Sequence, residues 1–244
     1  MNVVADQPWR RPYGGYHQPR EVTHDPELTH VGPGTPGGEY LRRFWHPVAM
    51  SSELGERPLL IRIMGEDLVL FRDRSGQLGL LHRHCAHRGT SLEYGIPMAR
   101  GLRCCYHGWT WDADGSCLET PGEPTQSRMK ENVFQGAYPV HELDGLIFAY
   151  MGPPAEQPPL PIFDVTGQPD TETATFSILI DCNWLQTHEN GIDPIHAAFL
   201  HARPDAASFG SVFAVIPRID LMETPTGLAV TSTRRWKDKV WTRA

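Results

Sequence analysis

The chain has 244 residues, enough for two modest domains, and a formal net charge of −7. The acidic balance and the scattered Lys and Arg argue against a partner with a phosphate backbone, so we expect no nucleic acid partner. No run of about 18 apolar residues and no signal-peptide core is present, which predicts a cytoplasmic protein that does not enter a membrane.

The first half of the chain predicts an arm followed by a β domain. Residues 1–39 are rich in Pro, Gly and His without periodicity, which indicates an extended arm against a folded body. From residue 40 to 155, short apolar stretches alternate with turn residues, as in a small antiparallel β domain. The stretch 57–85 predicts three strands, with turns at 65–67 and 73–76.

The remaining elements follow in order along the chain. A hairpin is predicted over 109–120, with its turn at 113–115. Prolines between residues 153 and 161 then form a stiff linker. The last region, 156–244, has an α+β pattern. It consists of a strand that runs into a helix over 173–186 and of strands within 211–222 and 227–241.

Two Cys/His couples stand out among only five cysteines. Cys85-x-His87 is followed after sixteen residues by Cys104-x-x-His107, and each couple follows a predicted strand. Two thiolates and two imidazoles suit a tetrahedral zinc site, but such sites usually pair cysteine with cysteine at short range. One sulfur and one nitrogen from each loop favour a two-iron cluster, with both thiolates on one iron and both imidazoles on the other.

The second cysteine is ambiguous because Cys104 and Cys105 are adjacent and would point to opposite faces of a strand. We favour Cys104, since it keeps the two-residue gap to His107. Cys105 and Cys117 are expected to be small buried thiols. Structural roles are expected for the remaining histidines of this region, namely His46, His82 and His84.

A second constellation is Asp193-x-x-His196-x4-His201. Two imidazoles and a carboxylate can hold a non-haem ferrous ion and leave positions open for dioxygen. On a regular helix, with about 100° per residue, the two histidines would lie roughly 140° apart. Pro194 suits a first helical position with Asp193 as N-cap, and residues 190–191 should interrupt the preceding helix. We therefore predict two short helical pieces, with irregular backbone near His201.

Residues 40–155 resemble the Rieske domain of bacterial aromatic-ring-hydroxylating oxygenases. Both loops carry the expected following residues, Arg88-Gly89 and Gly108-Trp109, and residues 121–124 resemble the loop that covers such clusters. The resemblance implies a mainly β plus α+β fold: a Rieske-type antiparallel β domain, then the N-terminal part of an α+β, helix-grip-like catalytic domain. The sequence of residues 189–201 resembles that of the oxygenase (alpha) subunits of the phthalate-dioxygenase-like branch.

The resemblance also implies roles for single residues. The Rieske [2Fe-2S] cluster would be held by four side chains, Cys85, His87, Cys104 and His107. His196 and His201 would bind a mononuclear Fe(II), and Asn190 would sit near that iron. Asp193 would not be a ligand but a bridge, which accepts a hydrogen bond from His196 and another from a Rieske histidine, His107, of a neighbouring subunit. Such a bridge implies a homotrimer.

The family takes its third iron ligand from an acidic side chain far downstream, and no matching motif follows His201. The acidic residues there read as surface or turn residues, namely Asp205, Asp220, Glu223 and Asp238. The third ligand is therefore unassigned. We expect the chain to be a fragment or an incomplete gene product; the alternative is a short protein that kept its electron-entry domain. His188 is expected to be a surface or structural residue.

The function implied by the resemblance is that of the terminal oxygenase component of a multicomponent system. Electrons from NADH would arrive through a flavin reductase, directly or by way of a ferredoxin. With dioxygen they would support hydroxylation of an aromatic compound by dihydroxylation, monohydroxylation or O-demethylation. Two alternatives remain: a Rieske-type electron carrier without oxygenase chemistry, and a zinc-bound interaction module.

Overall fold

The computed structural model describes residues 12–17, 23–163, 168–201, 211–225 and 227–244. The chain divides into two compact units, Met1–Ile178 and Leu179–Ala244. Parts of the predicted arm and Asp205 lie outside the described residues. The domain boundaries expected after residues 39 and 155 stay predictions. Among the residues described, no helix is both long enough and apolar enough to cross a bilayer.

The described part of the arm contains short helices, which the sequence analysis did not predict. They are Gly14–His17 (3-10), α1 (Pro26–Thr29) and α2 (Pro36–Leu41). The side chain of Asp25 accepts the backbone N–H of Glu27, and that of Thr35 accepts the N–H of Gly38. Each cap stands directly before a proline at the first helical position, where the missing N–H costs nothing.

The described residues of the first unit form three antiparallel sheets. Its strands are β1 (Trp45–Met50), β2 (Leu59–Ile63), β3 (Glu66–Arg72), β4 (Leu78–His82), β5 (Ile96–Pro97), β6 (Leu102–Arg103), β7 (Thr110–Trp111), β8 (Cys117–Glu119), β9 (Ala137–Tyr138), β10 (Val140–Leu143) and β11 (Leu146–Tyr150). The strand orders are β1-β11-β10, β2-β3-β4-β9 and β5-β6-β7-β8. A short helix, α3 (Met129–Asn132), precedes β9, and 3-10 turns cover Ser51–Glu53, Leu92–Tyr94 and Pro154–Glu156.

The predicted three strands and the predicted hairpin are confirmed. Strand β3 lies between two apolar clusters, so both of its faces are buried. Leu68 and Leu70 pack into one apolar cluster, whereas Val69 and Phe71 pack into another. A continuous apolar run is typical of a strand covered on both sides. The second cluster also contains Cys85 and Cys104, so the core of this sheet supports both Cys/His loops.

Asp73 fixes the turn between β3 and β4 and ties it to β6. Its carboxylate accepts the backbone N–H groups of Ser75, Gln77 and Gly101 at 2.9, 3.0 and 3.0 Å, and also the Ser75 hydroxyl. Burial works to raise the pKa of Asp73, but the hydrogen bonds from Ser75, Gly101 and Gln77 outweigh it, so the pKa is lowered.

We expect Asp73→Asn to lower the free energy of unfolding by about 1–3 kcal/mol at pH 7, because one buried N–H loses its acceptor. The native pKa of Asp73 lies below its unfolded value of about 3.9, so this stability is present above that pH and is lost as pH falls through the native pKa. Urea unfolding of both proteins at pH 7 and pH 3 measures the effect, with the exposed Glu172→Gln as control. If the wild type and Asp73→Asn differed in free energy of unfolding by as much at pH 3 as at pH 7, the role of the ionised carboxylate would be contradicted.

Among its described residues, the second unit has an α-helix and a three-stranded sheet. Helix α4 (Trp184–Ile192) begins at the N-cap Asn183, whose side chain accepts the N–H of Leu185. A π turn, Ala197–His201, and a 3-10 turn, Ser211–Ala214, follow. The antiparallel meander consists of β12 (Arg218–Thr224), β13 (Gly227–Trp236) and β14 (Lys239–Arg243).

Three sequence predictions about this region are wrong. Residues 173–180 are not in a strand, although the stretch is rich in β-branched residues, because they pair with no other described strand. The strand expected within 211–222 begins only at Arg218. Helix α4 continues through residues 190–191 and ends at Ile192 with Asp193 as its C-cap, because Pro194 cannot continue it and disfavours a helical backbone before it.

Candidate metal centres

The two Cys/His loops have the same backbone structure. Cys85 donates its N–H to the carbonyl of Thr90, and its own carbonyl accepts the N–H of Gly89, at 2.9 and 2.8 Å. In the second loop, Cys104 donates its N–H to the carbonyl of Trp109, and its own carbonyl accepts the N–H of Gly108, at 2.8 and 3.1 Å. Both glycines have a left-handed backbone, with φ of 74° and 73°, which favours glycine strongly. The glycine four residues after each cysteine is therefore required by the turn that holds the couple.

The structure brings the couples together, thiol beside thiol and imidazole beside imidazole. Cys85 and Cys104 are 3% and 4% exposed, and they pack in the same buried core cluster. The rings of His87 and His107 lie 4.8 Å apart between centroids, with His87 half-buried and His107 exposed. The sulfur end of the arrangement is inside the core and the imidazole end is at the surface.

The chemistry of this donor set fits a mixed two-iron cluster. Burial raises the pKa of the Cys85 thiol, because a charged thiolate is unfavourable in the core. Bound iron would offset this cost by taking the place of the proton. Burial and the neighbouring His107 lower the pKa of His87, which favours the neutral imidazole that a metal requires. Among the described residues, no group of three or more His, Cys, Asp or Glu side chains is placed to hold one ion. A Rieske-type cluster takes two protein ligands per iron.

Cys105 and Cys117 differ from the ligand candidates. The side chain of Cys105 is exposed, so the expectation that it is buried is wrong. Cys117 is half-buried, and burial raises its pKa. The three histidines expected to be structural contact other groups: His46 lies 2.6 Å from the carbonyl of Leu41, His84 lies 2.9 Å from that of Gly89, and His82 faces Glu66 at 3.4 Å.

Gln135 positions the first loop, and sequence reasoning missed it. Its amide is buried, and its Nε2 donates to the carbonyls of His82 and His84 at 2.8 and 3.0 Å. Its Oε1 accepts the backbone N–H of Ala86 at 2.8 Å. The glutamine is about fifty residues away in sequence, and no local pattern marks it. Only the pairing of β4 with β9 brings it to the loop.

The second constellation surrounds the junction between α4 and the π turn. The Asp193 carboxylate accepts the N–H groups of Ile195 and His196 at 2.7 and 3.3 Å and so caps the turn, as the sequence predicts. The rings of His196 and His201 lie 5.2 Å apart and meet edge to face. In a π turn the hydrogen bonds span five residues, so side chains five positions apart share one face. The predicted irregular backbone near His201 is confirmed.

Both histidines and Asp193 line a cleft of about 410 Å³ in the second unit. The Nδ1 atom of His196 is buried and has no hydrogen-bond partner among the described residues. It lies 3.6 Å from Asp193 Oδ2, too far for the hydrogen bond expected from the sequence. A half-buried imidazole whose Nδ1 atom accepts or donates no hydrogen bond within the described part of the chain, and which faces a second imidazole, fits a metal ligand. Asn190 is exposed and is not among the cleft-lining residues.

Buried Arg234 holds this junction to the sheet. Its guanidinium donates to the carbonyls of Pro194 and Val215, both at 3.0 Å, and to the hydroxyl of Ser232. Burial lowers the pKa of Arg234, and Arg243 adds to the effect. An arginine on β13 thereby fixes the backbone between Asp193 and His196.

The comparisons with known proteins identify a domain family and several related proteins. Residues 44–137 match the family model described as the Rieske [2Fe-2S] domain. The chain is 50% identical, over 89% of its own length and 49% of the relative, to the oxygenase subunit of a tert-butanol monooxygenase and tert-amyl alcohol desaturase from Aquincola tertiaricarbonis. It is 44% identical, over 88% and 55%, to a phenoxybenzoate dioxygenase alpha subunit from Ectopseudomonas oleovorans.

A further relative is the oxygenase subunit of phthalate 4,5-dioxygenase from Pseudomonas putida, 40% identical over 72% of this chain and 40% of the relative. Among solved structures, dicamba monooxygenase with non-haem iron and dicamba superimposes with a TM-score of 0.62 and 25% identity, over 80% of this chain and 54% of that one. The chain spans about half the length of the curated relatives it matches.

Proposed function

Because the chain belongs to the Rieske non-haem iron oxygenases and resembles their oxygenase subunits, we propose that it is the terminal oxygenase component of a multicomponent system. It would use dioxygen and NADH-derived electrons to oxidise a small organic substrate. The observation that carries the proposal is that two buried cysteines share one core cluster beside two facing imidazoles, inside the residues that match the Rieske domain.

The first centre would be held by Cys85, Cys104, His87 and His107. A [2Fe-2S] cluster with two imidazole ligands supplies one-electron transfer at a higher potential than an all-cysteine cluster. The buried cysteines keep the sulfur side dry. The imidazoles reach the surface, where an electron donor or acceptor can approach.

The second centre would be a mononuclear Fe(II) held by His196 and His201, and such an ion supplies dioxygen activation. The partnerless Nδ1 of His196 and the iron in the dicamba monooxygenase structure support it. Asp193 would keep the turn in shape through its two backbone hydrogen bonds and, in a homotrimer, would bridge to His107 of a neighbouring subunit. Asn190 is proposed to lie near the iron, and the third ligand is unassigned.

The names of the relatives support a proposal for the substrate class. Phenoxybenzoate and phthalate in the names of two relatives support an aromatic substrate, oxidised by dihydroxylation, monohydroxylation or O-demethylation. The tert-butanol relative makes a tertiary alcohol the second compound to assay. Electrons are proposed to come from an NADH-dependent flavin reductase, with or without a ferredoxin, in the cytoplasm.

Metal and sulfide analysis of anaerobically purified protein tests the proposal. We expect three irons and two acid-labile sulfides per chain, with the cluster seen by visible circular dichroism. Two irons with two sulfides and no dioxygen consumption would indicate an electron carrier instead. Zinc without sulfide would indicate an interaction module and would refute the proposed function.

A further inference from the structure

The side chain of Trp111 makes a hydrogen bond that neither the motif nor the proposed function uses. Its indole Nε1 lies 3.3 Å from the Sγ atom of Cys85, and both side chains are buried. The indole N–H can only donate, so the sulfur is the acceptor. Trp111 lies on β7, directly after the second loop, whereas Cys85 belongs to the first loop. The bond therefore joins the two loops.

The sulfur of Cys85 lies where a hydrogen-bond donor has a large effect. The atom is in a core cluster with apolar side chains such as Val69 and Leu92, and a thiolate there has few groups to stabilise its charge. In such surroundings a hydrogen bond to a charged acceptor is stronger than one between neutral groups.

We propose that Trp111 raises the reduction potential of the cluster by donating its indole N–H to the thiolate of Cys85. The inference rests on the proposed cluster. An added electron increases the negative charge on the sulfurs, so a donor at Cys85 stabilises the reduced form more than the oxidised form. Hydrogen bonds to the sulfurs are among the factors that set such potentials. Trp111 acts through Cys85 and is a positioning residue, not a catalytic one.

Packing is the competing role, because Trp111 is fully buried and the backbone around it is tight. A Cβ atom at Gly101 would come within 2.2 Å of the Trp111 carbonyl oxygen. A useful variant must therefore remove the N–H and keep the shape. Replacement of Trp111 by 3-(3-benzothienyl)alanine does this, since sulfur replaces the N–H in the same fused rings. Trp111→Phe is the genetic counterpart. Phe71→Leu, in the same core cluster, controls for lost packing alone.

The midpoint potential of the loaded protein, measured by redox titration followed by visible circular dichroism, tests the inference. We expect both Trp111 variants to hold the cluster at a lower potential, with roughly a tenfold smaller reduced-to-oxidised ratio at fixed applied potential, or about 59 mV. Phe71→Leu should keep the wild-type potential. Equal potentials in the wild type and the benzothienyl variant would overturn the inference, as would loss of the cluster from that variant. Wild-type protein without labile sulfide would instead refute the proposed function.

Discussion

Cys104→Ser will remove the [2Fe-2S] cluster, whereas Cys105→Ser will leave it in place. The side chain of Cys104 is buried in the same core cluster as that of Cys85, whereas that of Cys105 is exposed on the same loop. Loss of indirect partners of metal ligands already costs roughly 10–100-fold in affinity, so loss of a thiolate ligand should lower cluster content at least about tenfold. Labile sulfide and visible circular dichroism per chain measure the effect.

The pair of variants is a matched control because both remove one sulfur atom from the same turn. Their thermal unfolding without the cluster should be compared first, so that a folding defect is not taken for a ligand effect. Equal retention of sulfide in both variants would contradict the choice of Cys104. Loss of sulfide only from Cys105→Ser would reverse that choice, and the loop would then need a different backbone in the loaded protein.

His201→Ala will remove the mononuclear iron and leave the cluster intact. Iron should fall by about one third, from three to two per chain, while two labile sulfides remain. Substrate oxidation should fall at least about 100-fold, since the proposed iron site loses an imidazole that faces His196. Iron and sulfide analysis of the same sample separates the two centres, and dioxygen consumption with an electron donor gives the activity.

His188→Ala is the control for that change. The ring of His188 is exposed on α4 and lies 5.9 Å from that of Trp184, away from the cleft-lining residues. The His188→Ala variant should keep three irons per chain and oxidise substrate at the wild-type rate. A third iron retained by His201→Ala would remove His201 from the ligand set. Loss of the third iron from His188→Ala would indicate instead that the iron site includes His188 on α4.

The cluster loops could be predicted from the sequence because their structure is local. The Cys-x-His and Cys-x-x-His couples, and the glycine four residues after each cysteine, form turns in which every backbone hydrogen bond spans at most five residues. The strands that carry them are recognisable as short apolar runs between turn residues. Asp193-Pro194 likewise marks the start of a turn, since the cap and the proline act on the next residues in the chain.

The sequence alone determined which residues can bind metals and which short turns carry them, because these depend on neighbours within a few residues. The tertiary structure decided which groups face one another. The burial of Cys104 against Cys85, the amide of Gln135 on the first loop and the indole of Trp111 on the cysteine sulfur all join distant parts of the chain. The same holds for Arg234 on the carbonyl of Pro194. The π turn places His196 and His201 on the same side, and it depends on packing, since an ideal α-helix would separate the two histidines.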